Sequence, residues 1–96
     1  MRKSVKDVLG AAEAIEGLEV QGWVRTRRDS KEFSFLELND GSCLGGVQVV
    51  ADAGIDGYEQ IQAMTTGASV RAVGRLVESP GKGQRWELHA SALQLL

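Results

Sequence analysis

The chain has 96 residues, a formal net charge of −2 and 25% charged residues. A chain of this length buries one modest core and leaves no room for a large catalytic apparatus. Its single cysteine excludes an internal disulfide and favours a reducing compartment, so we expect a cytoplasmic protein. No apolar run approaches the roughly 20 residues of a membrane span. The slight acidity excludes a generic, charge-driven binder of polyanions and restricts any such role to a local patch.

The first element in chain order is a short helix. Ser4 can cap it, and Asp7 three residues later completes an approximate capping box. Val5, Val8 and Leu9 then fall on one helical face. The pattern predicts a helix with one apolar side.

A strand follows the helix. In LEVQGWVRT, the residues Leu18, Val20 and Val24 alternate with polar ones, which predicts a half-buried strand. Gly22 inside it predicts a bend. We expect Trp23 to be a core residue.

The second predicted strand is FSFLELND, with Leu36 and Leu38 on one face. Its other face presents Phe33, Phe35, Glu37 and Asn39. The letters NDGS that overlap its end are a hairpin signal. The third strand, GGVQVVAD, places Val47 and Val49 on one face and Gln48 on the other.

The pattern then returns to helical spacing in DGYEQIQAMTTG, where Tyr58 and Ile61 share one side and Gly67 marks a stop. SVRAVGRLVES predicts a fourth strand that bends at Gly74.

The fifth strand is QRWELHASALQLL. Its two faces alternate, with Trp86, Leu88 and Ala90 on one and Glu87, His89 and Ser91 on the other. We expect Trp86 in the core.

The element order is therefore a helix, three strands, a helix and two strands. It predicts a mainly β OB-fold, a five-stranded Greek-key barrel with a helix between strands 3 and 4 and a short N-terminal helix. Residues 1–96 form one domain in this interpretation. Another small α+β domain is the competing fold.

An OB barrel binds ligands on strands 2 and 3, between the loop that joins strands 1 and 2 and the loop that joins strands 4 and 5. Both loops are rich in cations, in RTRRDSK and in SPGKGQR. Phe35 and Gln48 project between them, and Glu87 projects from strand 5. Flat rings for bases and cations for phosphates are what single-stranded nucleic acid requires.

Each of these residues also has a simpler explanation. The arginines could be a solvated strand end, Phe35 could pack beneath a loop, and Glu87 could face solvent. Phe33 is interpreted as loop packing, and His89 is assigned no chemistry. No phosphate-binding loop, metal-ligand cluster or nucleophile–base pair stands out, so we assign no catalytic and no metal-binding residue.

The residues nevertheless match a known family. GWVRTRRDSK, FSFLELNDGSC, VQVV, TTGASVRAVGRLVESPGKGQ and WELHA closely resemble the N-terminal anticodon-binding domain of bacterial asparaginyl-tRNA synthetases. The resemblance extends from about Val5 to Leu95. RTRRDSK together with SPGKGQ favours the asparaginyl over the aspartyl branch of this class II subgroup.

The resemblance implies that the chain binds the anticodon loop of tRNA-Asn, which has a G-U-U anticodon. It implies that Phe35 stacks on the middle uridine, that Arg28 and Gln48 hydrogen-bond to it, and that Glu87 contacts the first base. The third base should be sensed near the loop from residue 79 to 84. The residues expected to contact the RNA backbone or loop are Arg25, Arg27, Lys31, Ser79, Lys82, Gln84 and Arg85.

Enzymes of this family continue into a much larger catalytic domain, for which ATP and Mg²⁺ are expected. Because its motifs are absent, we expect this chain not to aminoacylate by itself and to hold no cofactor. The parent asparagine–tRNA ligase is expected to be a homodimer, and this domain alone a monomer. Two other functions stay open, a free-standing protein-interaction module that dimerises through ALQLL and a general single-strand binder.

Overall fold

The computed structural model describes residues 2–79 and 86–96. Its elements are helix α1 (Val5–Leu9), strands β1 (Ile15–Asp29), β2 (Phe33–Asn39) and β3 (Val47–Asp56), a 3-10 helix (Tyr58–Ala63), and strands β4 (Ser69–Glu78) and β5 (Trp86–Leu95). The strands close a barrel in the order β1-β2-β3-β5-β4. Paired strands are antiparallel except β3 and β5, which are parallel. The predicted mainly β, five-stranded barrel is confirmed.

Strand β1 closes the barrel because it pairs both with β2 and with β4, the last strand in this order. Its first half, residues 15–23, pairs with β4, and residues 23–29 pair with β2. The register with β2 shifts between Val24 and Thr26, and such a bulge bends and twists a strand. One long, bent strand therefore pairs with β4 through its first half and with β2 through its second half.

Two strand glycines lie directly against the backbone of a neighbouring strand. A Cβ atom on Gly22 would lie 2.5 Å from the carbonyl oxygen of Asn39, and one on Gly74 would lie 2.1 Å from that of His89. Neither position has room for a side chain. The register between β4 and β5 also shifts beside Gly74, where the sequence predicts a bend.

The core contains the inward residues of all five strands, as the alternation predicts, together with Val5 and Val8 of α1. The fully buried positions include Leu18, Val20, Val24, Leu36, Leu38, Val47, Val49 and Leu88. Trp86 is buried as predicted, and its indole N–H donates to the carbonyl of Ala11 at 3.0 Å. The prediction for Trp23 is wrong, since 42% of this residue is exposed. It lies on the outer face of β1, next to the inward Val24.

Helix α1 begins where the sequence predicts, and its N-terminus is held from two sides. Ser4 Oγ accepts the N–H of Asp7 at 3.2 Å. The loop between β2 and β3 supplies Asp40 Oδ2 and Ser42 Oγ, which accept the first two helix N–H groups at 3.0 and 2.9 Å. Burial raises the pKa of Asp40, but hydrogen bonds from Ser42 and from the N–H of Val5 outweigh it and lower the pKa below its ordinary value.

The link between β2 and β3 is a hairpin, but it occupies residues 40–46 rather than a tight turn. Asn39, predicted on the outer face, is buried at its base. Its side-chain N–H groups donate to the carbonyls of Cys43 and Gly45, and its Oδ1 accepts the N–H of Gly41. The amide turns inward because it satisfies three backbone groups of this loop.

The helix between β3 and β4 is present, but it is a single 3-10 segment that ends at Ala63, before the predicted stop at Gly67. Ile61 and Met64 point into the core.

Candidate nucleic-acid interface

Two rows of side chains cross the outer face of the barrel. In the first row, strand pairing places Phe35 beside Arg28 on one side and Val50 on the other, and Val50 beside His89. Arg75 on β4 follows His89. Neighbouring strands lie about 4.8 Å apart, so the backbones at Phe35 and His89, two strands apart, are separated by roughly 10 Å.

The second row lies beside the first, two residues away from it on each strand. It contains Thr26 on β1, Glu37 on β2, Gln48 on β3, Glu87 on β5 and Val77 on β4. The four residues predicted to read bases therefore fall into two adjacent rows on four strands. The outward direction of Phe35, Gln48 and Glu87 agrees with the predicted alternation.

Arg28 and Phe35 are in direct contact. The guanidinium carbon lies 4.8 Å from the centre of the ring, within the range of a cation–π interaction. Two residues that sequence reasoning assigned to one base are thus brought together by the pairing of β1 with β2.

Glu87 points to the outer face, but neighbouring side chains cover it. Only 8% of the residue is exposed. His89 Nε2 lies 2.8 Å from Oε1, and Ser79 Oγ donates to Oε2 at 3.4 Å. The carboxylate is therefore held at both oxygens rather than free in solvent.

The predicted phosphate contacts occupy different surroundings. Arg25 is exposed and donates to the carbonyl of Leu44 at 2.9 Å. Arg27 donates to the carbonyl of Ile61 at 2.6 Å and lies 3.6 Å from the carboxylate of Asp29. The guanidinium of Arg27 therefore binds the backbone of the 3-10 helix.

Lys31 is exposed in the turn between β1 and β2. Ser79 follows β4 and contacts Glu87. Lys82, Gln84 and Arg85 lie outside the described residues. The structure thus brings Ser79 to the predicted base-reading rows, and Lys31 lies in the turn that joins two of their strands.

Six members of the two rows had no predicted role, and three of them, Thr26, Glu37 and His89, lie directly beside a residue predicted to read a base or on its strand. The alternation of β2 already points Glu37 outward beside Phe35. His89 is two residues from Glu87 on one strand, the spacing that puts two side chains on the same face. This spacing is the signal that could have found it.

Across residues 2–79 and 86–96, no helix is long and apolar enough to cross a membrane. In the same ranges, no group of three or more His, Cys, Asp or Glu side chains could hold a metal ion.

Comparison with known proteins shows the family of this chain. A family model for tRNA anticodon domains, described as an OB-fold nucleic acid binding domain, matches residues 18–96. The chain belongs to this family. Asparagine–tRNA ligase of Oleidesulfovibrio alaskensis is 54% identical over 99% of this chain, and that of Nitratidesulfovibrio vulgaris strain DP4 is 53% identical over 99%. The chain spans 21% of the length of each of these relatives.

Solved structures show the same barrel. The asparaginyl-tRNA synthetase from Pyrococcus horikoshii complexed with asparaginyl-adenylate has a TM-score of 0.78 and 22% identity, over 100% of this chain and 22% of that chain. OBody AM1L10 bound to hen egg-white lysozyme has a TM-score of 0.76 and 18% identity, over 98% of this chain and 91% of that chain. At these identities the likeness concerns the fold, which is the predicted OB-fold.

Proposed function

We propose that this chain, as one domain, binds the anticodon loop of tRNA-Asn and reads its G-U-U anticodon. The proposal rests chiefly on one observation. Arg28, Phe35, Gln48 and Glu87 lie in two adjacent rows of one outer face, with the Arg28 guanidinium over the Phe35 ring. Specific recognition of single-stranded RNA uses unstacked bases that lie on aromatic rings and hydrogen-bond through their edges.

Each side chain has a part in this mechanism. The middle uridine stacks on Phe35 and receives hydrogen bonds from Arg28. Gln48 can donate to and accept from the same base edge. Glu87 accepts from the donors of the first base, a guanine. Arg25 and Lys31 neutralise phosphates, and the loop that follows Ser79 meets the third base.

The domain contributes binding, and the chemistry belongs to a longer protein. We propose that this protein is an asparagine–tRNA ligase, which uses ATP and Mg²⁺ in a separate catalytic domain. The identity to the two ligases over nearly the whole chain supports this assignment. We expect the ligase to be a cytoplasmic homodimer, and the domain by itself to be a monomer that holds no cofactor.

The alternative of dimerisation through ALQLL has less support. Strand β5 lies between β3 and β4 in the closed barrel. Its residues up to Leu95 pair with β4, so this segment offers no open strand edge on that side. A partner would have to bind side chains rather than extend the sheet.

Substitution of Phe35 by alanine tests the proposal. It should weaken binding of an anticodon stem-loop by about 1–3 kcal/mol, the value of one lost base stack. Isothermal titration with a G-U-U stem-loop measures this change. Phe33→Ala is the matched control, since this ring is 37% exposed on the same strand beside Asp52. Unchanged affinity of the Phe35 variant, or an equal loss in the control, would contradict the assignment.

A further inference from the structure

His89 stands out among the outer residues because the proposed mechanism does not use it. Its Nε2 lies 2.8 Å from Glu87 Oε1. Its cross-strand neighbours are Val50 on β3 and Arg75 on β4. Neither neighbouring side chain has a hydrogen-bond acceptor. Of these three side chains, only Glu87 can therefore receive the imidazole N–H.

The direction of this hydrogen bond follows from the chemistry of the carboxylate. An ionised carboxylate only accepts, so Nε2 must carry the proton and donate it. Ser79 Oγ donates to the other oxygen. Two donors on two oxygens fix both the position and the plane of the carboxyl group, and each oxygen keeps one further acceptor site.

Guanine differs from the other bases in what it offers to such a group. Its Watson–Crick edge presents two adjacent donors, N1–H and the N2 amino group, whereas adenine, cytosine and uracil each present one. A carboxylate can accept both donors of guanine in parallel, but this geometry is specific only if the plane of the carboxylate is fixed.

We propose that His89 is a positioning residue for recognition of the first anticodon base. It holds the Glu87 carboxylate so that the two remaining acceptor sites meet N1–H and N2–H of guanine. This inference rests on the proposed function of the chain and adds a residue for which the sequence suggested no chemistry.

The test compares stem-loops that differ by a single group. Inosine in place of the first guanine removes only the N2 amino group. The wild-type chain should bind the guanine loop about tenfold more tightly than the inosine loop, the effect of one hydrogen bond to a charged group. His89→Ala should reduce this ratio to roughly twofold. A mobile carboxylate can accept N1–H in many orientations, but it must be ordered in one plane to accept N2–H as well.

Two further variants separate positioning from a general effect on the fold. His89→Gln should keep the guanine-to-inosine ratio, since its amide N–H can also donate to Glu87. Ser91→Ala is the matched control on the same strand, because Ser91 donates to the carbonyl of Val73 and not to Glu87. A cytidine in the middle position should weaken binding to all four proteins by the same factor.

Several results would overturn the inference. One is an unchanged guanine-to-inosine ratio in His89→Ala, and another is a loss of this ratio in His89→Gln. Loss of middle-base selectivity together with the guanine preference would also overturn it, because His89 would then support the whole face rather than Glu87. If the wild-type chain prefers uridine in the middle position but does not distinguish guanine from inosine, only this inference fails. If it shows neither preference, the proposed function fails with it.

Discussion

At the residue scale, Gln48 is the most informative side chain because of its neighbours. It lies between Glu37 and Glu87 in the second row, one strand away from each. A neutral amide between two carboxylates contributes no charge, so we expect Gln48 to act on RNA through hydrogen bonds. Uridine and cytidine differ in the donors and acceptors of their Watson–Crick edges, so an amide that both donates and accepts can distinguish the two bases.

Substitution of Gln48 by alanine should therefore weaken binding of a middle-uridine loop by about 1 kcal/mol, the value of a typical hydrogen bond. A loop with cytidine in this position should lose less. Fluorescence titration of both loops measures the difference. Gln21→Ala is a suitable control, since this glutamine on β1 donates to Glu19, in the part of β1 that pairs with β4. Equal losses for the two loops would show that Gln48 does not read the middle base.

At the element scale, the loop between β2 and β3 fastens α1 to the barrel. Asp40 accepts the N–H of Val5 at the helix N-terminus and the N–H of Ser42 in its own loop. A negative charge in this place also interacts favourably with the helix dipole. The pKa of Asp40 is lowered by these hydrogen bonds in spite of its burial. Its charged form therefore stabilises the fold.

The sign of the pH dependence follows from this lowered pKa. The stabilisation is complete above the unfolded-state pKa, near 3.8, and is lost as the pH falls through the lower pKa of the folded state. Asp40→Asn should reduce the free energy of unfolding by about 1 kcal/mol at pH 6, a typical value for helix N-terminal hydrogen bonds. The difference from the wild type should shrink below pH 4.

Urea unfolding at several pH values, followed by tryptophan fluorescence, measures this difference. Asp52→Asn on the exposed part of β3 is the control and should show no comparable loss at pH 6. A difference for Asp40→Asn that stays constant down to pH 3 would contradict the assigned role of the charge.

Regular elements were predictable from the sequence, but positions decided by long-range contacts were not. The alternation of apolar residues predicts all five strands and the outward direction of Phe35, Gln48 and Glu87. The 3-10 helix ends early in a segment whose Ile61 carbonyl binds Arg27 and whose Gln60 side chain accepts the N–H of Leu95. Both partners come from distant strands, so no local pattern reports them.

The site shows the same division. Alternation places Glu87 on the outer face, but its cover by His89 and Ser79 depends on side-chain packing and on the end of β4. Asn39 is buried because its amide binds three backbone groups of the following loop. The alternation of β2 gives no information about these contacts. Trp23 is exposed because it precedes the inward Val24. A tryptophan suggested burial more strongly than its place in the alternation.

At the scale of the whole molecule, a net charge of −2 and an RNA-binding role are compatible. The outer face combines Arg28, Arg75 and the exposed Lys31 with two carboxylates, so its field is mixed rather than uniformly positive. Non-specific binding depends on many phosphate contacts, and the described part of this outer face presents few cations beside its carboxylates. We therefore expect selectivity to come from contacts with the bases, which a general single-strand binder would not show.

The most direct test of this central claim is titration of the wild-type chain with anticodon stem-loops at fixed salt concentration. We expect the tightest binding for G-U-U, weaker binding when the middle uridine is cytidine, and the weakest for an unrelated single strand of equal length. A loss of at least about 1 kcal/mol for the middle substitution is expected from the broken base-edge contacts. Equal affinity for all three RNAs, or no binding to the G-U-U loop, would contradict the account.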